Sequence, residues 1–210
     1  MHRGPFRCEC GELHDTYDES NDLEPYIHTD GVTCLNESVP GACRHVFRPL
    51  ARRRGEHLEL RSDDDDPELL IHVPFTVAVK VRSLVIVGEP GSSAPAHVRA
   101  FVNHDGLDFS DAARLPPVQE WDLAREATVE LEYPTLRAKF QNVQSITLHV
   151  TANHGGTAEP CATSICYIAF QGEGTANKRG IVDAIYEVQA VPENTGVPGL
   201  GMGTADAAGF

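Results

Sequence analysis

Several signatures of chemistry are absent from this 210-residue chain. None of its six cysteines, at positions 8, 10, 34, 43, 161 and 166, stands in a CxxC pair. That excludes a thioredoxin-type redox motif and a zinc ribbon. There is no GxSxG, no HExxH and no glycine-rich phosphate loop followed by Lys, so the common hydrolase, metalloprotease and nucleotide-binding signatures are missing. Basic residues are scarce, 17 Lys and Arg against 31 Asp and Glu, for a net charge of −14. Binding to nucleic acid needs clustered cations, and only Arg48 with Arg52, Arg53 and Arg54 forms a basic patch. No apolar run approaches the roughly 20 residues of a membrane helix. The N-terminus MHRGPFRCEC has no signal-peptide core. The expectation is a soluble cytoplasmic protein, with the nucleus also open, that needs neither cofactor nor metal and is a monomer by itself. Thiols should be reduced in that compartment, and the Asn36-Glu37-Ser38 sequon is then a chance match.

Nor does any stretch of 12 residues sustain a helical period. Short apolar alternations predominate instead. Leu69 to Val73 reads as a strand that Pro74 stops or confines to an edge. From Val77 to Val87 both faces become apolar, as in a central strand covered on both sides, with a bulge expected at Arg82-Ser83. Further strands are expected at His97–Asn103, Val118–Leu123, Thr128–Tyr133, Arg137–Gln141, Ser145–Val150, Cys166–Phe170 and Asp183–Val191. The connections Asn103–Pro117 and Thr151–Thr163 carry turn residues. Seven to nine antiparallel strands of this kind predict an all-β, two-sheet sandwich.

Around that core, residues 1–25 read as a flexible acidic arm and residues 192–210 as a flexible glycine-rich tail, leaving 26–191 as the domain. Within the lead-in segment, Leu35 to Ser38 is expected to form a short helical turn and Val39-Pro40-Gly41 a tighter one. Val46, Phe47 and Leu50 should anchor it, with Cys34 and Cys43 packed as small hydrophobes and Cys166 buried. His2, Cys8, Cys10 and His14 match no common zinc spacing. The run Asp63, Asp64, Asp65, Asp66 lacks the alternating ligands of a calcium loop and reads as a solvated acidic loop.

Eight pieces in register resemble the PITH domain family, named for its place behind a thioredoxin domain in a proteasome-associated thioredoxin-like protein. They are Leu35-Asn36-Glu37-Ser38, Ser62–Asp66 with Glu68–Ile71, Ile71–Phe75, Val79-Lys80-Val81 to Ile86, Asn103 through Leu107–Ala112, Phe140–Val143, Asn153 with Gly155-Gly156, and Tyr167-Ile168 through Gly172. The resemblance implies a jelly-roll-like β-sandwich of the galactose-binding-like kind, and a binding module without chemistry of its own. In the thioredoxin-like relative this domain attaches to the 26S proteasome. The expected function is therefore a protein–protein interaction module that docks on the proteasome regulatory particle or a similar assembly. The alternative is a structural subunit of a ciliary, axonemal or cytoskeletal complex, with a corresponding place in the cilium or flagellum. Candidate contact loops carry Asp63, Asp64, Asp65, Asp66, Asp108, Phe109, Asp111 and Asn153, whereas Phe75, Phe109 and Phe140 read more simply as core or loop plugs. A partner site should appear as an exposed apolar patch rimmed by charge.

Overall fold

One strand, β3 (Leu69–Gly88), organises the computed structural model, which describes residues 21–49, 52, 58–127 and 131–178, the last three by backbone alone. Among the described residues seven further strands join its sheet: β1 (Thr33–Leu35), β2 (Leu60–Arg61), β4 (Pro95–Val102), β5 (Gln119–Asp122), β6 (Tyr133–Pro134), β7 (Val143–Asn153) and β8 (Ser164–Lys178). All the pairings are antiparallel, in the order β2-β8-β3-β7-β4-β5, with β1 and β6 added to β3.

The neighbours of β3 change along its length. Leu70 to His72 lie between β1 and β7, whereas Ser83 and Leu84 lie between β8 and β6. The ladder shifts register between Pro74 and Val79, and the strand turns there from one layer into the other. This gives a galactose-binding-like jelly-roll sandwich. Its core is filled from both layers, by Leu69, Ile71, Val73, Ile146, Leu148, Val98 and Trp121 on one side and Leu84, Ile86, Ile168 and Phe170 on the other. Each fully buried Leu, Ile or Phe contributes about 1.5–3 kcal/mol.

Pro74 does not end the strand. Its carbonyl accepts from His28 N at 2.9 Å. In a strand, a residue's N and C=O point to the same side, so its missing N–H faces the irregular lead-in segment and β7 loses nothing. The bulge expected at Arg82-Ser83 is present, as a register shift between Val81 and Ser83. The outer face of this half is buried as well, at Val85, Tyr167 and Ala169.

Further expectations need correction. Arg137–Gln141 is a turn, with Lys139 N donating to Leu136 O and only Phe140 buried. Leu35–Ser38 is not helical. Leu35 ends β1 and Asn36 sits at φ 69, which redirects the chain so that Glu37 bridges Ser62. The expected loop after Asn103 contains a helix, α1 (Phe109–Arg114), capped by the Asp108 carboxylate, which accepts from Asp111 N at 2.7 Å.

The lead-in segment packs more deeply than expected. Leu23, placed in the flexible arm by sequence, is fully buried, and its N–H donates to Phe170 O at 2.9 Å. The turn at Val39-Pro40-Gly41 is present, with Gly41 at φ 84, and leads into a 3-10 segment, Ala42–Val46. The Glu37 carboxylate caps that segment by accepting from Gly41 N and Cys43 N. Val46 and Phe47 are buried as anchors. The arm through residue 20, Leu50, Arg53, Arg54, the strand residues Thr128 to Glu130, the strand at Asp183–Val191 and the tail lie outside the described residues.

Candidate functional site

The outward face of the β3–β7–β4 layer has a cross-strand order set by register. Leu35, Leu70, His149 and Arg99 form one row, and Thr33, His72, Thr147 and Phe101 the next. Pro74 and Ser145 begin a third. These positions alternate with the core-facing ones, so the sandwich presents polar groups here within otherwise apolar strands. After β4 the chain crosses back over this face through Asn103 and α1. Leu107, Phe109 and Leu115 pack with Leu70, Phe101 and Ala112 beneath them. Arg99 donates to the carbonyls of Ala112 and Leu115, at 2.8 and 3.1 Å, and so ties down the end of the helix.

Two hollows open beside this returning chain, one against His28 of the lead-in segment and the other against β1. One, of about 280 Å³, is lined by His28, His72, Pro74, Asn103, Asp105 and Ser145, among others. The second, of about 320 Å³, is lined by Thr33, Leu35, Leu70, His72, Leu107 and Asp108, among others. His72 forms the wall between them. Its Nδ1 lies 3.0 Å from the Thr147 hydroxyl and its Nε2 3.8 Å from the Asp105 carboxylate. The Ser145 hydroxyl donates to that same Asp105 oxygen at 3.0 Å. Asn103, at φ 58, accepts from Gln144 N and Ser145 N and donates to Asn142 O, which fixes the loop that carries Asp105.

Burial holds the His72 pKa below its ordinary value of 6.5, against the opposing pull of Asp105. A depressed histidine pKa means the unfolded chain takes up a proton first. Stability is therefore full above about 6.5 and falls as pH drops from there toward the folded-state value. In that window His72→Asn should flatten the acid limb of stability against pH, by at most about 1.4 kcal/mol per pH unit for one proton. Urea unfolding at stepped pH measures this, and an unchanged limb would assign the acid sensitivity elsewhere.

The acidic loop lies beside this face. Asp63, Asp64, Asp65 and Asp66 are all exposed. Asp63 and Asp66 cap their own turn by accepting from Asp65 N and Glu68 N. Asn36 holds the loop in place, donating to the carbonyls of Asp66 and Glu68 while its own carbonyl accepts from Asp63 N. Glu68 in turn pairs with buried His149 at 2.9 Å, and the Phe109 ring meets that imidazole edge-on at 5.7 Å. The structure thus connects the acidic loop with the Asp108–Asp111 segment through Glu68 and His149.

The sequence-predicted residues fare differently. Asp108 is exposed and lines a hollow while capping α1, and Asp111 pairs with Arg114 at 2.5 Å. Phe109 is half-buried against the sheet. Phe75 and Phe140 are core. Asn153 does not offer its side chain to a partner. It is buried, donates to Cys161 O at 2.7 Å and accepts from Gly155 N and Gly156 N, because the turn beyond β7 needs that closure. Sequence reasoning missed His72, Asp105, Thr147 and His149. The available signal was the polar residue at every second position of SITLHV and the lone histidine within LLIHVP, where an apolar or plainly solvated face would be ordinary.

Among the described residues no group of three or more His, Cys, Asp or Glu is arranged to hold a metal ion. No helix among them is long and apolar enough to cross a membrane. Cys34, Cys43, Cys161 and Cys166 are free thiols. Cys166 is half-buried where burial was expected, with its thiol facing Glu59. Burial first, and neighbouring carboxylates second, push Cys43 up to about 12 and Cys166 up to about 11, so both stay protonated at neutral pH.

The comparisons with known proteins agree with this fold. The family 32 CBM from C. perfringens NanJ, solved in complex with galactose, superposes with a TM-score of 0.50 at 11% identity, covering 71% of this chain and 97% of the module. That likeness is one of fold. The PITH domain-containing protein 1 of Danio rerio is 36% identical over 182 residues, 85% of this chain and 84% of its own length. Its Homo sapiens and Dictyostelium discoideum counterparts are 36% and 34% identical, over 79% of this chain and over 76% and 79% of theirs. These relatives take their names from the domain and not from an activity. The PITH domain model matches residues 14–190, and with it the chain belongs to the PITH domain family.

Proposed function

We propose that this chain is a protein-interaction module that docks on a large assembly, with the 26S proteasome as the first candidate. The observation that carries the reading is an apolar strip rimmed by carboxylates. Leu35, 44% exposed, stands with Leu70 and Leu107 in the second hollow. Asp108 lines one side, and Asn36, the next residue after Leu35, holds the Asp63–Asp66 loop alongside. An open apolar patch inside a charged rim is the ordinary form of a partner surface. The resemblance to the domain of the proteasome-associated thioredoxin-like protein supplies the first partner to try. In this reading the chain acts as a monomeric adaptor in the cytoplasm, with the nucleus also accessible to it.

Affinity purification of the tagged chain from its own cells, at low and at moderate salt, followed by mass spectrometry, tests the proposal. Regulatory-particle subunits should co-purify at low salt and diminish as salt rises, because exposed charges more than about 10 Å apart are screened at 0.1 M. A salt-resistant set of other structural proteins with no proteasome subunits would overturn it.

A further inference from the structure

We propose that the paired hollows read an extended basic segment of a protein partner, seating an Arg or Lys side chain against Asp105 and an aliphatic side chain against Leu35, Leu70 and Leu107. This rests on the reading that the chain docks on a protein.

Spacing is the first support. The hollows share His72, one spanning the rows of Leu70 and His72 and the other those of His72 and Pro74. Successive rows along β3 are about 7 Å apart, the distance between side chains i and i+2 of an extended peptide. A peptide lying along this face would therefore place alternate side chains in the two hollows.

Charge decides what the polar hollow accepts. The lining residues of the two hollows include Asp105 and Asp108 and no Lys or Arg. Asp105 is 81% exposed and holds Ser145 through Oδ1, while Oδ2 takes no hydrogen bond or ion pair among the described residues. The polar hollow thus offers one free carboxylate oxygen beside an imidazole that burial keeps neutral near pH 7. A phosphate or carboxylate would be repelled there, whereas a guanidinium or ammonium gains a charge-assisted hydrogen bond. The site is also organised in advance, because Asn103 holds the Asp105 loop through three hydrogen bonds to β7 and the chain before it. Little ordering cost then falls on binding.

The test is an NMR titration of the full chain with a capped heptapeptide carrying a leucine and, two residues on, an arginine, in a glycine–serine background. Amide shifts should concentrate at Leu35, Leu70, His72, Asp105 and Ser145. Glutamate in place of the arginine should remove them. Asp105→Asn, which can keep the Ser145 bond, should weaken binding about tenfold, the contribution of a charged hydrogen bond. Asp122→Asn, on exposed β5, should change nothing. Shifts that ignore Asp105→Asn, equal binding of the glutamate peptide, or no shift at millimolar peptide would each overturn the assignment. Co-purification with Asp105→Asn separates the two readings. If wild type and variant capture the same assembly equally, the groove assignment falls and docking stands. If wild type captures none but the titration behaves as expected, docking on a large assembly falls and the groove stands.

Discussion

Replacing Phe170 with alanine is expected to destabilise the protein by about 3–5 kcal/mol, the largest effect of any single truncation considered. The ring is 1% exposed and sits where three segments meet. It stacks on Phe47 at 6.3 Å, meets Phe75 edge-on at 5.8 Å, and its backbone carbonyl accepts from Leu23 N. Removal takes away the transfer energy of a phenyl group and leaves a cavity that strands from two layers cannot easily close. Domain stabilities are typically about 5–15 kcal/mol, so this one change removes a large share. The lead-in segment should loosen with it, because both Phe47 and Leu23 lean on residue 170. Urea unfolding gives the number, with Leu136→Ala, at a half-exposed turn position, as a control expected within about 0.5 kcal/mol of wild type. A loss below about 1 kcal/mol for Phe170→Ala would show that the site collapses to fill the space.

Gly172→Ala is the second large effect, for a different reason. A Cβ at 172 would lie 1.8 Å from the Lys80 carbonyl oxygen and 2.9 Å from its carbon, with Leu23 Cδ1 at 3.1 Å. The obstruction is backbone across the β3–β8 ladder, where Gly172 opposes Val81 next to the bulge. No side-chain rotation relieves it, so the strands must separate. The expected cost is about 3 kcal/mol, at the upper end of overpacking. Gly156→Ala is the informative comparison. Gly156 has φ 55 and open space where a Cβ would stand, so only left-handed strain applies, about 1–2 kcal/mol. Comparable losses for the two variants in the same unfolding assay would sink the steric explanation.

Much of the fold was legible because its signals are local. Leu84 to Val87 is apolar at every position, and the structure buries Leu84 and Ile86 inward and Val85 outward. The alternation Ile146, Leu148, Val150 likewise gave β7 its inner face. Pro74 misled because the cost of a missing N–H depends on which neighbour it faces, and that is a tertiary fact. Helix α1 is too short to show a period, although Asp108 three residues before Asp111 is a cap signature that could have been read. Phe140 suggested a strand, yet its neighbours Arg137, Ala138 and Lys139 are all exposed, so the apolar residue is a plug in a turn. The candidate site was legible only in part. Asp63 to Asp66 and Asp108 could be seen as acidic loop residues, but His72 and Thr147 are brought together by register between strands about 75 residues apart in sequence, and Asp105 joins them from the loop after β4. Asn153 illustrates the reverse error, since a polar residue in a turn looks available until its bonds to Cys161, Gly155 and Gly156 are known.

The central place of β3 also bears on how the chain emerges from the ribosome. This 20-residue strand is complete long before β8, which begins about 75 residues later. At roughly 5–20 residues per second the nascent strand waits on the order of 4–15 s for that partner. During that interval a mainly apolar, β-prone segment has unpaired backbone, the condition under which chains associate with one another. Asp63 to Asp66 just ahead of it, and Lys80 and Arg82 within it, place charge where such association would start. Arg82 later pairs with Glu173 of β8, so the cation that guards the unfinished strand joins its late partner in the finished sheet.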